Sequence, residues 1–199
     1  MNQDFWNNRY SELGIAYGIE PNEVLKSNVT VFNPNSKILC LAEGEGRNAI
    51  YLAKLGHEVT AVDFSEQGIR NMNRLAKENN IKITTICSDL HDFKVEENSW
   101  DGIVVIFGHF PATLRSKLFS SFYQGLKKEG TILIVGYHKK QLGKNSGGPT
   151  EAELLYGENE LTDDFNSFDE IQMNQFNIHL SEGKYHQGLS SLLVVKGKK

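Results

Sequence analysis

Ile38-Leu39-Cys40-Leu41-Ala42 is a short apolar run without alternation, and Gly44-Glu45-Gly46 follows it almost directly. A run of this kind suits a strand covered on both faces, as in a parallel sheet with helices above and below it. The two glycines let the backbone turn sharply and approach a ligand where any Cβ would interfere. A helix opening at Arg47-Asn48-Ala49 is expected to point unpaired N–H groups at that ligand. A second strand, Val59-Thr60-Ala61-Val62, ends in Asp63, 17 residues after Gly46. That is close to the spacing of about 20 residues at which a carboxylate meets the hydroxyls of a bound ribose. The pattern implies a nucleotide-cofactor site at the carboxyl edge of a sheet.

With 199 residues, 39% of them hydrophobic, the chain can bury one full core and is expected to form a single domain over residues 1–199. No apolar stretch approaches the roughly 20 residues of a membrane span, and the opening Met1-Asn2-Gln3-Asp4-Phe5-Trp6 lacks a basic-then-apolar leader. A cytoplasmic location and no membrane partner are therefore expected. Cys40 and Cys87 both fall in expected strands and read as buried, reduced thiols, with no disulfide scaffold and no metal site. A formal net charge of −4 gives no general pull toward nucleic acid.

From about residue 36 to residue 136, buried strands alternate with amphipathic helices, which predicts a Rossmann-like α/β sheet, doubly wound and mostly parallel. The expected parallel strands are Lys37–Ala42, Glu58–Val62, Lys82–Cys87, Gly102–Phe107 and Thr131–Val135. A helix over Arg47–Leu55 is closed by Gly56, and another is capped by Ser65 and striped by Ile69, Met72 and Ala76. A third carries Leu114, Leu118, Phe122 and Leu126 on one face and is expected to stop at Gly130. Lys139 to Thr150 is polar and turn-rich, so a long exposed loop is expected there, a possible lid over a substrate. Ile171–Leu180 and Leu189–Val195 read as an antiparallel hairpin that completes seven strands.

Ser88-Asp89-Leu90 directly follows the third strand, so Asp89 belongs at the same sheet edge as Asp63 and can accept from an exocyclic adenine amine. The glycine loop, Asp63, Asp89, the fourth-strand end Ile106-Phe107-Gly108-His109-Phe110-Pro111 and the turn Leu126-Lys127-Lys128-Glu129-Gly130 together resemble a class I S-adenosylmethionine-dependent methyltransferase. The opening Phe5-Trp6-Asn7-Asn8-Arg9-Tyr10, with Tyr17-Gly18-Ile19-Glu20-Pro21-Asn22, is similar to the small bacterial tellurite-resistance and thiopurine-type enzymes. The resemblance implies S-adenosyl-L-methionine as cofactor and S-adenosyl-L-homocysteine as product. It places Gly44 and Gly46 at the methionine part, Asp63 on the ribose, Asp89 and Leu90 on the adenine, and Phe64 against its face. It also puts Phe107 to His109 beside the reactive methyl, and makes residues 1–35 a helical lid with Tyr17 and Gly18 as cofactor contacts. The chain departs from the pattern at Cys40 and Ala42, where family members commonly carry an acid and a glycine. Glu43 is expected to supply the missing charge near the cofactor's ammonium group.

Methyl transfer from a sulfonium asks the protein chiefly to align a nucleophile and exclude water. His109 is the expected base if the acceptor needs one. Arg47 has three readings: a cofactor carboxylate, an acidic substrate, or an ion pair with Glu43 or Glu45. His138, His179 and His186 show no metal-ligand spacing and read as ordinary polar residues. The expected acceptor is a small molecule rather than nucleic acid, and the expected assembly a monomer or homodimer. Gly44-Glu45-Gly46-Arg47-Asn48-Ala49 also fits an NAD(P)-dependent oxidoreductase, and a catalytically silent S-adenosylmethionine-binding protein is the third reading.

Overall fold

The computed structural model describes residues 2–199. Seven strands form one sheet: β1 (Lys37–Leu41), β2 (Glu58–Asp63), β3 (Thr84–Cys87), β4 (Trp100–Ile106), β5 (Leu126–Tyr137), β6 (Glu170–Glu182) and β7 (His186–Lys198), in the order β3-β2-β1-β4-β5-β7-β6. The first five run parallel, and β7 enters antiparallel between β5 and β6. The expected Rossmann-like, mostly parallel sheet with its C-terminal hairpin is the observed one.

The unalternating apolar runs make sense once the pleat divides them. Leu39, Leu41, Ile103, Val105, Ile132 and Ile134 face one layer, where α5 (Ala112–Gly125) contributes Leu114, Leu118, Phe119 and Phe122. Ile38, Cys40, Val59, Ala61, Val104 and Leu133 face the other. There α2 (Glu23–Asn28), α3 (Arg47–Lys54) and α4 (Glu66–Glu78) supply Leu25, Ala49, Leu52 and Met72. Both faces of β1, β2 and β4 are therefore buried, which is why their sequences do not alternate.

Several local expectations change. The helix before β5 ends at Gly125, where only glycine fits because a Cβ would stand 2.3 Å from Val95 Cγ1. Leu126 is buried as expected, but in a bulged strand start that pairs it with Trp100 before the register shifts to Gly102 and Thr131. The 139–150 segment is not a wholly exposed loop: Gln141 is buried, accepts from the Ser191 N–H and donates to Ser146 Oγ and Gly147 O. Cys40 is buried, whereas Cys87 is exposed, since β3 is the sheet's edge strand. No helix among the described residues is long and apolar enough to cross a membrane.

Residues ahead of β1 hold α1 (Gln3–Ser11), α2 and one 3-10 turn. The α1 segment lies across the carboxyl edge of the sheet and is tied down at several points. Ser65 Oγ bonds Asn7 Oδ1 at 2.7 Å, Asn71 donates to Tyr10 O at 2.8 Å, and the Ala16 N–H donates to Glu45 Oε2 at 2.7 Å.

Candidate active site

The carboxyl ends of β1, β2, β3 and β4 open into one cleft of about 910 Å³, partly covered by the N-terminal segment. Among its lining residues are Glu43, Gly44, Arg47, Asp63, Phe64, Asp89, Leu90, Phe107 and His109, together with Tyr17 and Gly18 from the covering segment. Gly46 alone of the expected set stays outside the lining. Its φ of 88° makes the left-handed turn into α3, and a Cβ would collide with Met72 Cγ at 2.2 Å, so its role here is to turn the chain and pack.

Asp63 ends β2 beneath the glycine turn. Its Oδ2 accepts from the Gly44 N–H and its Oδ1 from the Ser65 N–H, both at 2.8 Å, which leaves further lone pairs for a ligand's hydroxyls. Burial raises its pKa against the pull of these bonds. Asp89 stands at the open end, half exposed, held by the His91 N–H at 2.9 Å. Over Gly44 lies Tyr10: a Cβ at that glycine would sit 2.6 Å from Tyr10 Oη, so the space the glycine frees is filled by the N-terminal segment.

Glu43 does something other than expected. Its Oε1 accepts from the Ala49 N–H at 2.7 Å, and the Asn48 N–H adds a second bond, so the N-terminus of α3 is capped from within the chain rather than left open to a ligand. Burial outweighs these bonds and pushes the Glu43 pKa up to about 7. Arg47 pairs with neither Glu43 nor Glu45. Its Nη2 meets Glu182 Oε2 at 2.8 Å, and its Nη1 donates to Glu20 O at 3.3 Å.

His109 lies at the cleft but does not have a base's geometry. Its Nδ1 reaches Leu154 O at 2.7 Å, and its Nε2 accepts from the Tyr137 N–H at 3.1 Å, so both ring nitrogens are engaged by backbone. With the proton fixed on Nδ1 and the lone pair of Nε2 in use, no site remains to take another proton. Burial depresses its pKa to about 4, which keeps the ring neutral.

The hairpin between β6 and β7 contributes residues that spacing did not reveal. Glu182, Tyr185 and His186 come to the cleft from the far end of the chain, with Tyr185 and His186 in its lining. The hairpin is seated by Gly183, whose φ is 58° and where a Cβ would stand 2.3 Å from Ala16 O; the Lys184 N–H donates to the same carbonyl. No pattern marks these residues in sequence, because their partners are residues 16–22 and Arg47.

The chemistry of the lining suits a cation. Five acids (Glu43, Glu45, Asp63, Glu66 and Asp89) face two arginines, both already engaged: Arg47 with Glu182, and Arg9 with Tyr17 Oη at 3.1 Å and over the Tyr185 ring at 3.6 Å. Trp6, Tyr10, Tyr17, Phe107 and Tyr137 add aromatic faces. A sulfonium with an ammonium group fits such walls, and an adenosyl group can span Asp63 and Asp89. A dinucleotide fits poorly, because its pyrophosphate needs the helix N-terminus that the Glu43 carboxylate already fills.

A seven-stranded sheet of this order is the fold the chain shares with solved S-adenosylmethionine-dependent methyltransferases. The profile of the family described as "Methyltransferase domain" matches residues 38–130. The chain is 27% identical over 141 residues to the "Probable S-adenosyl-L-methionine-dependent methyltransferase TehB" of Haemophilus influenzae, covering 70% of this chain and 48% of that one, so it spans about half that relative's length. It is 32% identical over 98 residues to a 23S rRNA (uracil(747)-C(5))-methyltransferase of Pyrococcus abyssi, covering 44% of this chain and 24% of that one. The TehB crystal structure superposes with a TM-score of 0.71 at 22% identity, over 99% of this chain and 66% of that one. A structure concerned with the conversion of a disulfide bond into a thioacetal group during echinomycin biosynthesis gives 0.75 at 13% identity, over 98% and 88%. At such identities the structural likeness speaks to the fold.

Proposed function

We propose that the chain transfers the methyl group of S-adenosylmethionine to a small-molecule acceptor. The observation that carries this reading is the placement of Asp63 and Asp89 on one acidic cleft, half exposed at the Asp89 end and buried at the Asp63 end. In this reading Asp63 holds the ribose hydroxyls. Asp89 and Leu90 hold the adenine, and Phe64 packs on it. Gly44, Tyr17 and Gly18 flank the methionine part under residues 1–35 acting as a lid. When bound, the cofactor supplies an activated methyl carbon and a neutral leaving group. The protein's own contribution is to align the acceptor and keep water out.

The relatives range from an rRNA methyltransferase to TehB, so the acceptor has to be argued from this chain. A net charge of −4 and a cleft roofed by α1 favour a small acceptor over RNA. A cytoplasmic location and a monomeric or homodimeric state belong to the same reading.

Calorimetry with S-adenosylhomocysteine and with NADH, followed by labelled-methyl transfer to a panel of small acceptors, tests the proposal. Binding of the first ligand only, with transfer to a small acceptor, is the expected result. NADH binding would return the oxidoreductase reading, and cofactor binding without transfer to any acceptor would favour a silent binding protein.

A further inference from the structure

The end of the cleft beside Phe107 is walled by four rings. Tyr17 and Phe107 each lie 4.5 Å from His186 by ring centroids, and Tyr137 stacks on Phe107 at 4.8 Å. Within this box His186 is built as a proton acceptor. Its Nδ1 meets Glu182 Oε2 at 3.0 Å, while its Nε2 has no hydrogen-bond partner among the described residues. Glu182 is itself fixed by Arg47 at 2.8 Å and by the Asn22 amide at 2.8 Å. A carboxylate held this firmly keeps the proton on Nδ1 and the lone pair of Nε2 toward the cleft. Behind the ring the box is closed by Gly147, where a Cβ would stand 2.7 Å from the buried Tyr137 hydroxyl and 3.0 Å from His186 Cδ2.

Resting on the methyltransferase reading, we propose that His186, oriented by Glu182, takes a proton from the methyl acceptor, so that the acceptor is a neutral molecule bearing an acidic X–H group rather than an anion. One X–C bond forms, and one S–C bond breaks with its electrons staying on sulfur. The X–H electron pair stays on X, and the proton passes to Nε2. The positive charge carried in by the sulfonium leaves as imidazolium, next to the Glu182 carboxylate that stabilises it. An anionic acceptor has no proton to give and gains nothing from this base, and Arg47 is already neutralised by Glu182.

The charged and titratable groups facing His186 are Glu182, Arg47, Arg9 and His109, with the phenols of Tyr17, Tyr137 and Tyr185 around them. Burial lowers the His186 pKa against the upward pull of Glu182, which leaves the ring a neutral base near pH 7.

Histidine-selective nitrogen NMR on the full chain saturated with S-adenosylhomocysteine tests the tautomer without turnover. The Nδ1–H form is expected, with a titration midpoint that falls at least about threefold in proton affinity in Glu182→Gln. Transfer is then followed with two probes, 2-mercaptoethanol as the protic acceptor and iodide as the anionic one. His186→Gln is expected to cut transfer to 2-mercaptoethanol about 100-fold, the usual scale of a lost general base. Its affinity for S-adenosylhomocysteine should stay within a few-fold of wild type. An Nε2–H tautomer, a faster transfer to iodide, or an undiminished His186→Gln rate overturns the proposal. Failure of the wild-type chain to bind S-adenosylhomocysteine would instead overturn the cofactor reading beneath it.

Discussion

Arg47 and Glu182, 135 positions apart in the chain, meet in a 2.8 Å ion pair with both side chains less than a tenth exposed. The pair joins the helix after the glycine turn to the hairpin that closes the sheet. Burial alone would raise the Glu182 pKa, but the His186 bond and the Arg47 charge outweigh it and hold the carboxyl at about 2. Removing one partner of such a pair leaves the other charged and dry. Arg47→Met is therefore expected to cost about 3–5 kcal/mol by chemical denaturation. The double variant Arg47→Met, Glu182→Leu should recover part of that loss.

The two rim acids should separate stability from binding. Asp89 is half exposed, so Asp89→Ala is expected to leave the denaturation midpoint nearly unchanged while weakening S-adenosylhomocysteine binding about tenfold or more, the scale of a lost charged hydrogen bond. Asp63→Asn should weaken binding at least as much and also lower stability, because the Gly44 and Ser65 N–H groups lose their charged acceptor. Calorimetry and denaturation on the same preparations decide between these patterns.

Glu43 and His109 give opposite pH dependences. The folded-state pKa of Glu43 is raised to about 7, so its contribution is fully present below about 4.5 and is lost as pH rises toward 7. Glu43→Gln has no such proton to lose, and its stability relative to wild type should grow across that window and then level off. His109 is depressed to about 4, so the unfolded chain takes a proton first and stability falls as pH drops from 6.5 toward 4. Denaturation midpoints at several pH values should show both slopes, with the first missing in Glu43→Gln.

Ala42 has a φ of 53°, in the left-handed region where a side chain is strained. Relieving that strain is worth about 1–2 kcal/mol, offset by about 0.4–1 kcal/mol of extra unfolded-chain entropy for glycine. Ala42→Gly is expected to raise stability by up to about 1 kcal/mol, read as a small upward shift of the thermal midpoint.

The half of the site built from β1 to β3 was legible because it is local: each acid follows its own strand, and strand ends share one edge in a parallel sheet. His109 was placed at that edge correctly, but its chemistry depends on Leu154 O and the Tyr137 N–H, which lie on elements that spacing does not connect to it. His186 was hidden for the same reason. It looks like any polar residue in a turn until the antiparallel return of β7 sets it against Phe107 and Tyr17. The 139–150 segment has the composition of a solvated loop, and only its pairing with Ser191 through Gln141 draws it inward. Leu126 keeps helical spacing with Leu114 and Leu118, yet it pairs with Trp100 at the bulged start of β5, a partner that spacing does not reveal.

The hairpin seated on residues 16–18 through Gly183 makes the molecule divisible along an unexpected seam. The walls around His186 combine Tyr17 and the 182–187 turn with Phe107 and Tyr137, while the walls around Asp63 and Asp89 come from the middle of the chain and from α1. Grafting a new 182–187 turn together with its docking stretch would therefore reshape the part of the cleft around His186 while leaving the Asp63 and Asp89 end untouched. Arg47 is the charged stitch across that seam, beside the bonds of Ala16 to Glu45 and of Asn22 to Asn48, and any graft must bring an acid to meet it.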